Sequence, residues 1–246
     1  MRLNCIFSTF AFILFFGLIG VFIIPAIIIY GLCYPFLKYP QDKFQDIAGL
    51  IYKIFFRLQP RLNVDIKLLS YLPESAIYVS THQSNLDYPI LGSFIKKYLI
   101  MTTMKFHRVP IIAQIGYLIG VRYLDKNNLG KINSIYNEFE KMLQENRNVI
   151  FFAEGTRSTN NKLGKFHKGA FRLAKKMNKP IIPIIIENSG SILQKGNFCF
   201  SSIKNTKIKV KMLEVIYPEN FHNDDILEFT YNMMSKEFEN STKGGI

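Results

Sequence analysis

Hydrophobic positions along the chain fall into two regimes. Residues 3–37 carry no charge, and residues 5–24 (CIFSTFAFILFFGLIGVFII) would make a helix about 30 Å long, enough to span a bilayer core. Pro25 interrupts the run, and a shorter apolar piece continues to Leu37. The pattern predicts a membrane anchor over residues 1–37, built either as one spanning helix or as two helical pieces inserted as a hairpin into one leaflet. A cleaved signal peptide fits poorly, because the run is too long and no A-x-A-like site ends it.

From residue 38 onward, short apolar runs alternate with amphipathic stretches. The runs at 76–80, 121–124, 149–153 and 181–186 are β-branched and aromatic, and predict mostly buried strands. Over 131–146, Ile132, Ile135, Tyr136, Phe139, Met142 and Leu143 form one helical stripe. Lys207, Lys209 and Lys211 alternate with Ile208, Val210 and Met212, which predicts a half-exposed strand with a lysine-guarded face. A closing helix over 224–239 follows Asn223 as its N-cap. Strands interleaved with helices predict an α/β domain over 38–246, a mixed, largely parallel sheet flanked by helices. No internal repeat or second domain boundary is visible.

Charge narrows the surroundings. Lys and Arg number 31 against 18 Asp and Glu, a net charge of +13, yet 48% of residues are hydrophobic. That combination excludes a disordered basic tail, ranks nucleic-acid binding last, and suits work at an anionic membrane surface. Cys5, Cys33 and Cys199 are odd in number and far apart, so neither a disulfide framework nor a zinc site is written here; the expectation is reduced thiols facing the cytosol, with no metal.

Three segments carry candidate chemistry. Directly after the first predicted strand comes THQSNLD, with His82 and Asp87 five apart. On a regular helix that spacing separates them by about 140°, so they meet only if His82 lies in the turn before the helix. Ser84 is a natural N-cap there, which places Asp87 at N3, and a carboxylate on one imidazole nitrogen would leave the other as a base. Taken alone, the pair also reads as a helix cap beside an ordinary polar turn residue. The second segment, FFAEGTRS at 151–158, runs a buried strand into a polar turn. Gly155 permits close backbone approach, Arg157 offers forked donors for a phosphate, and Thr156 and Ser158 add hydroxyls. A plain β-turn with a Glu154–Arg157 ion pair reads equally well. Downstream, a basic amphipathic helix puts Phe166, Ala170, Leu173, Ala174 and Met177 on one face and Lys168, Arg172, Lys175 and Lys179 on another. In the third segment, Lys105 and Arg108 lengthen the cationic region, and Pro110 pins a turn.

In order, HQSNLD (82–87), KFHRVPIIAQ (105–114), FFAEGTRS (151–158) and PIIPI (180–184) resemble the glycerolipid acyltransferase family, specifically the bacterial-type 1-acyl-glycerol-3-phosphate acyltransferases. GKFHKGAFRLA (164–174) is similar to the family's stretch between the last two motifs. The chain departs from the family pattern at Ala153 for a usual proline, at Ala113 for a usual glycine, and at Thr103 and Lys105, where the usual lysine is displaced. The resemblance implies transfer of a fatty acyl group from acyl-CoA or acyl-carrier protein to the free hydroxyl of 1-acyl-glycerol-3-phosphate, giving phosphatidic acid. It implies His82 and Asp87 as general base and orienting carboxylate, and Glu154, Gly155, Thr156, Arg157 and Lys105 as substrate-binding residues. No cofactor is implied beyond the donor, and no covalent intermediate, since G-x-S-x-G is absent and no cysteine lies in a motif. The implied location is the cytoplasmic face of the cell inner membrane, against anionic lipids. Two other readings stay open: remodelling of another lysophospholipid, and a non-enzymatic basic membrane-binding scaffold.

Overall fold

In chain order the elements of the computed structural model are α1 (Pro40–Leu58), β1 (Asn63–Lys67), β2 (Ile77–Ser80), α2 (Asp87–Gly92), β3 (Tyr98–Thr103), α3 (Pro110–Leu118), β4 (Val121–Leu124), α4 (Leu129–Gln144), β5 (Asn148–Phe152), α5 (Gly169–Met177), β6 (Ile181–Glu187), α6 (Ser189–Ile192), β7 (Lys207–Met212) and α7 (Asp225–Lys243). The structure describes residues 39–59, 62–103, 110–125, 127–157, 163–193, 207–222 and 225–243. The expected anchor over 1–37, Lys105, Arg108, Ser158 and the expected cap Asn223 lie outside the described residues. Among the described residues, no helix is long and apolar enough to cross a membrane.

The seven strands form one sheet in the order β1-β7-β6-β2-β5-β3-β4. β6, β2, β5, β3 and β4 run parallel, whereas β7 pairs antiparallel to β6 and carries β1 parallel to itself at the edge. The sheet is therefore mixed and largely parallel, as the alternation of strands and helices predicts. Side chains separate by strand period onto two cores. Ile77, Val79, Val149 and Phe151 face Phe139 and Leu143 of α4, Leu173 of α5 and Met234 of α7. Tyr78, Ile150, Ile182 and Ile184 face Ile90 and Leu91 of α2. β6 is buried along its whole length because both of its faces are covered, which is why it reads as an unbroken apolar run. Pro183 is tolerated in this inner strand because pairing to the following chain shifts there. Ile184 pairs with Met212 and Ile181 with Ile216, so two residues of β6 face three of the other strand in a bulge.

α4 begins at Leu129 because the Asn128 side chain accepts the Lys131 N–H at 3.0 Å. Pro110 opens α3, the first-turn position its missing N–H suits. β7 shows strict exposed and buried alternation, its Lys207 and Lys211 paired with Asp65 and Glu237.

Five elements lie outside the strands and helices expected from periodicity: α1, β1, β3, α3, which begins at the Pro110 expected to pin a turn, and the one-turn α6. α1 is pinned at its start. Buried Gln45 donates to the Tyr98 and Ile119 carbonyls at 2.6 and 3.2 Å and accepts the Tyr98 N–H at 3.1 Å. Asp42 takes both terminal nitrogens of buried Arg147, whose guanidinium also lies 4.0 Å over the Tyr39 ring. These contacts are at the beginnings of β3 and β5. Further along, Gly49 packs on the Gly92 carbonyl, where a Cβ would come within 2.9 Å, and Tyr52 meets Tyr88 edge to face. α1 thus climbs from the strands' N-terminal edge to their C-terminal edge and leaves Ile47, Leu50, Ile54 and Leu58 exposed on its outer side.

Candidate active site

β2 and β5 are parallel neighbours with Ser80 opposite Phe152, so the two segments leaving their C-terminal ends emerge side by side. Residues 82 and 154 each lie two positions beyond that last pair. In parallel α/β sheets this edge is where ligands bind. Thr81 first ties the chain to β6: its N–H donates to the Ile184 carbonyl at 3.1 Å, and its hydroxyl accepts the Ile186 N–H at 2.8 Å and donates to the Ile186 carbonyl at 3.1 Å.

His82 and Asp87 meet. Nδ1 of His82 lies 2.9 Å from Oδ2 of Asp87, which also accepts the N–H groups of Gln83 at 2.6 Å and Ser84 at 2.8 Å. Asp87 is fully buried and its Oδ1 has no hydrogen-bond partner. With Nδ1–H donating to a carboxylate, the neutral ring carries its lone pair on Nε2, the nitrogen that can take a proton. The imidazole stacks on Phe152 at 4.1 Å and 19°, and 20% of the His82 side chain remains exposed, which keeps it within reach of a substrate. The local architecture corrects one expectation. α2 begins at Asp87 after a turn at 84–86, so Asp87 is its first residue rather than N3, and Ser84 is not its N-cap. The Ser84 hydroxyl accepts the Leu86 N–H and donates to the Leu193 carbonyl at 2.9 Å, while the backward reach of the carboxylate to the Ser84 N–H is retained.

The second turn is built on Glu154, which is buried and has both oxygens engaged by backbone. Oε1 accepts the His82 N–H at 3.3 Å and Oε2 the Gly164 N–H at 2.8 Å. These bonds replace the Glu154–Arg157 ion pair that the sequence also admits. Burial pushes the Glu154 carboxyl above the usual carboxylate range, and the two N–H donors oppose that rise. Gly155 adopts φ +63°, its N–H closes the turn on the Phe152 carbonyl at 3.0 Å, and a Cβ there would come within 2.8 Å of the His167 ring. Its N–H is therefore committed to the turn, which leaves Thr156, exposed, and Arg157, half-buried, as the groups of this turn able to meet an anion. Nη1 of Arg157 is buried without a hydrogen-bond partner. Phe152, Gly164 and His167 are participants that motif reading passed over; an aromatic closing a strand two residues before Glu154 was the available signal for the first.

A family model described as acyltransferase matches residues 63–187, which spans every element from β1 to β6 and both turns of this site. The chain belongs to the acyltransferase family. Among relatives, it is 33% identical over 143 residues to a chloroplastic 1-acyl-sn-glycerol-3-phosphate acyltransferase of Arabidopsis thaliana, covering 57% of this chain and 40% of that one. A Haemophilus influenzae protein named 1-acyl-sn-glycerol-3-phosphate acyltransferase is 23% identical over 220 residues, covering 85% of this chain and 88% of that one. The acyltransferase fold is shared with the crystal structure of the 1-acyl-sn-glycerophosphate (LPA) acyltransferase PlsC from Thermotoga maritima, with a TM-score of 0.74, 17% identity, and coverage of 98 and 97% of the two chains. The chain spans less than half the length of the plant relatives.

Proposed function

We propose that this acyltransferase moves a fatty acyl group from a thioester, acyl-CoA or acyl-carrier protein, to the free hydroxyl of 1-acyl-glycerol-3-phosphate. The reading rests chiefly on one observation: a His–Asp pair, ring nitrogen to carboxylate at 2.9 Å, joined through the Glu154 carboxylate to a turn whose Arg157 holds a buried, unpartnered guanidinium nitrogen. A buried unpaired donor calls for an acceptor, and the acceptor phosphate supplies one. The names of the relatives point to the same substrate.

In this mechanism Nε2 of His82 removes the hydroxyl proton as the oxygen attacks the thioester carbonyl. The new C–O bond forms, the C–S bond breaks, and the proton passes from the imidazolium to the departing thiolate. Asp87 stabilises the imidazolium without taking its proton, and the proton transfer contributes roughly 10²- to 10⁴-fold. A thioester is already activated, so no enzyme nucleophile is needed. Glu154 sets the distance between the base and the phosphate turn, and holding the acceptor by its phosphate converts part of the barrier into binding. Lys105, which lies outside the described residues, is the further phosphate-binding cation that the resemblance implies.

The acceptor is an amphiphile, and the reading places the chain at a membrane, with residues 1–37 as anchor and the α/β domain on the cytoplasmic face of the inner membrane. Support comes from the outer side of α1, where Ile47, Leu50, Ile54 and Leu58 are exposed beside Lys43, Lys53 and Arg57, a composition suited to an anionic interface. The deciding experiment incubates purified full-length protein, wild type and His82→Ala, with acyl-CoA or acyl-carrier protein and a panel of lysolipids. Transfer to lysophosphatidate that His82→Ala abolishes is expected. Preference for another lysolipid would move the assignment to remodelling, and equal rates for wild type and variant would refute the base.

A further inference from the structure

We propose that the acyltransferase carries a nucleotide-binding groove for the donor, between the 165–168 segment and α7, which takes the phosphate-bearing nucleotide end of a CoA thioester. The groove has a volume of about 540 Å³ and is lined by Lys165, His167 and Lys168 on one side, Leu227, Glu228 and Tyr231 on the other, with Phe166 between. That volume lies in the range of small-molecule sites. Phe166 is buried and meets the half-buried Tyr231 edge to face at 5.1 Å, so the floor is aromatic, while Lys165, His167 and Lys168 are exposed at the rim.

The chemistry of the walls selects the ligand. Two lysines and a histidine on one wall suit phosphate groups, and the aromatic floor suits a flat base. Glu228 on the facing wall accepts from hydroxyl or amino groups, which a ribonucleotide carries and a bare phosphate does not. An acyl-carrier protein would instead dock its folded body over a broad surface, without placing a base and a ribose between these two walls.

Position ties the groove to the reaction. Gly164 is held by the same carboxylate that holds the His82 N–H, and Lys165 is the next residue. On the other side, the His167 N–H donates to the Ala153 carbonyl at 2.8 Å and its ring covers Gly155. The groove therefore opens within two residues of the catalytic turn, inside the reach of the pantetheine arm that separates the nucleotide of CoA from its thioester sulfur. Glu154 thus orders the base and, through Gly164, one wall of the donor groove.

This inference rests on the acyl-transfer reading, and its test separates the two. Full-length wild type and the surface variant Lys165→Glu/Lys168→Glu are titrated with adenosine 3′,5′-bisphosphate by calorimetry, then assayed with acyl-CoA and with S-acyl-N-acetylcysteamine, which lacks the nucleotide. The bisphosphate should bind wild type at least about tenfold more tightly than the variant, and KM for acyl-CoA should rise by about the same factor. The efficiency with the truncated donor should fall by far less. Equal nucleotide affinity in the two proteins, no binding to either, or a parallel loss with both donors would overturn the groove. Wild type that binds the nucleotide through these lysines but transfers no acyl group would leave the groove standing and remove the proposed reaction.

Discussion

Asp87→Asn perturbs the base without changing the volume of the site. In the wild type, Oδ2 accepts three hydrogen bonds at 2.6 to 2.9 Å, two from backbone and one from His82, while Oδ1 is buried with none. An asparagine offers one acceptor oxygen and one NH₂. With the oxygen in the Oδ2 position, the three bonds persist to a neutral acceptor, and the NH₂ is buried where nothing receives it. Turned the other way, the NH₂ confronts two backbone donors, so the first arrangement wins. Charge-assisted bonds are roughly twice as strong as neutral ones, and an unsatisfied buried donor costs about 1–3 kcal/mol, so the variant should lose about 2–4 kcal/mol of stability. The loss in rate is larger, because the imidazolium formed on Nε2 no longer faces a carboxylate. A fall in kcat of about 10²- to 10⁴-fold is expected, with a small change in KM for either substrate. The assay is thiol release from acyl-CoA in lysophosphatidate-containing vesicles, with folding checked by circular dichroism and chemical denaturation. A folded Asp87→Asn protein whose kcat stays within about threefold of wild type would refute the role given to the dyad.

Three other outcomes follow from the same geometry. Burial raises the Glu154 carboxyl above its unfolded value, so the native state holds that proton more tightly and stability should decline as pH rises from the ordinary carboxylate range through the raised one. Glu154→Gln removes that slope, and a stability difference between wild type and variant that is flat in denaturant titrations from acid to neutral pH would contradict it. Gly155→Ala places a side chain at φ +63°, a strain of about 1–2 kcal/mol, and should lower Tm by roughly 3–8 °C; an unchanged melt would mean the turn relaxes. The chain contains no tryptophan, so Leu50→Trp installs a single reporter on the exposed side of α1. Its emission should shift to the blue and be quenched by brominated lipid when anionic vesicles are added, whereas a water-like spectrum would take α1 away from the membrane.

Much of this acyltransferase is legible in the sequence. The runs at 76–80, 121–124, 149–153 and 181–186 coincide with β2, β4, β5 and β6 to within a residue, and the stripe of 131–146 is α4. β1 was missed although Val64 and Ile66 alternate with Asn63, Asp65 and Lys67. Its edge position leaves every residue partly exposed, and an edge strand gives a weak apolar signal. α1, by contrast, is legible: Phe44, Ala48, Ile51, Tyr52 and Phe55 recur at i, i+4, i+7, i+8 and i+11, a stripe as marked as that of α4. At the site, the spacing of His82 and Asp87 named the dyad but placed the helix start wrongly, since Ser84, Asp87 and Leu86 admit more than one cap arrangement and contacts to Leu193 decided among them.

Local order is in the sequence because backbone geometry fixes where each side chain points: period two or 3.6 states which residues face a core and which face outward. The sequence carries the alternation of β7, the stripe of α4, and the order along the chain of the His82–Asp87 pair, the Glu154 turn and the basic segment. Strand order belongs to the tertiary structure. Nothing local says that β5 lies beside β2 with Ser80 opposite Phe152, because many pairings would bury the same apolar residues. That pairing brings His82 within reach of Glu154, 72 positions away, and puts Phe152 under its ring. It also turns Glu154 from the ion-pair partner of a neighbour into the group that holds His82 and Gly164 together, because a buried carboxylate must find donors and the nearest ones are backbone N–H groups that only the fold brings there.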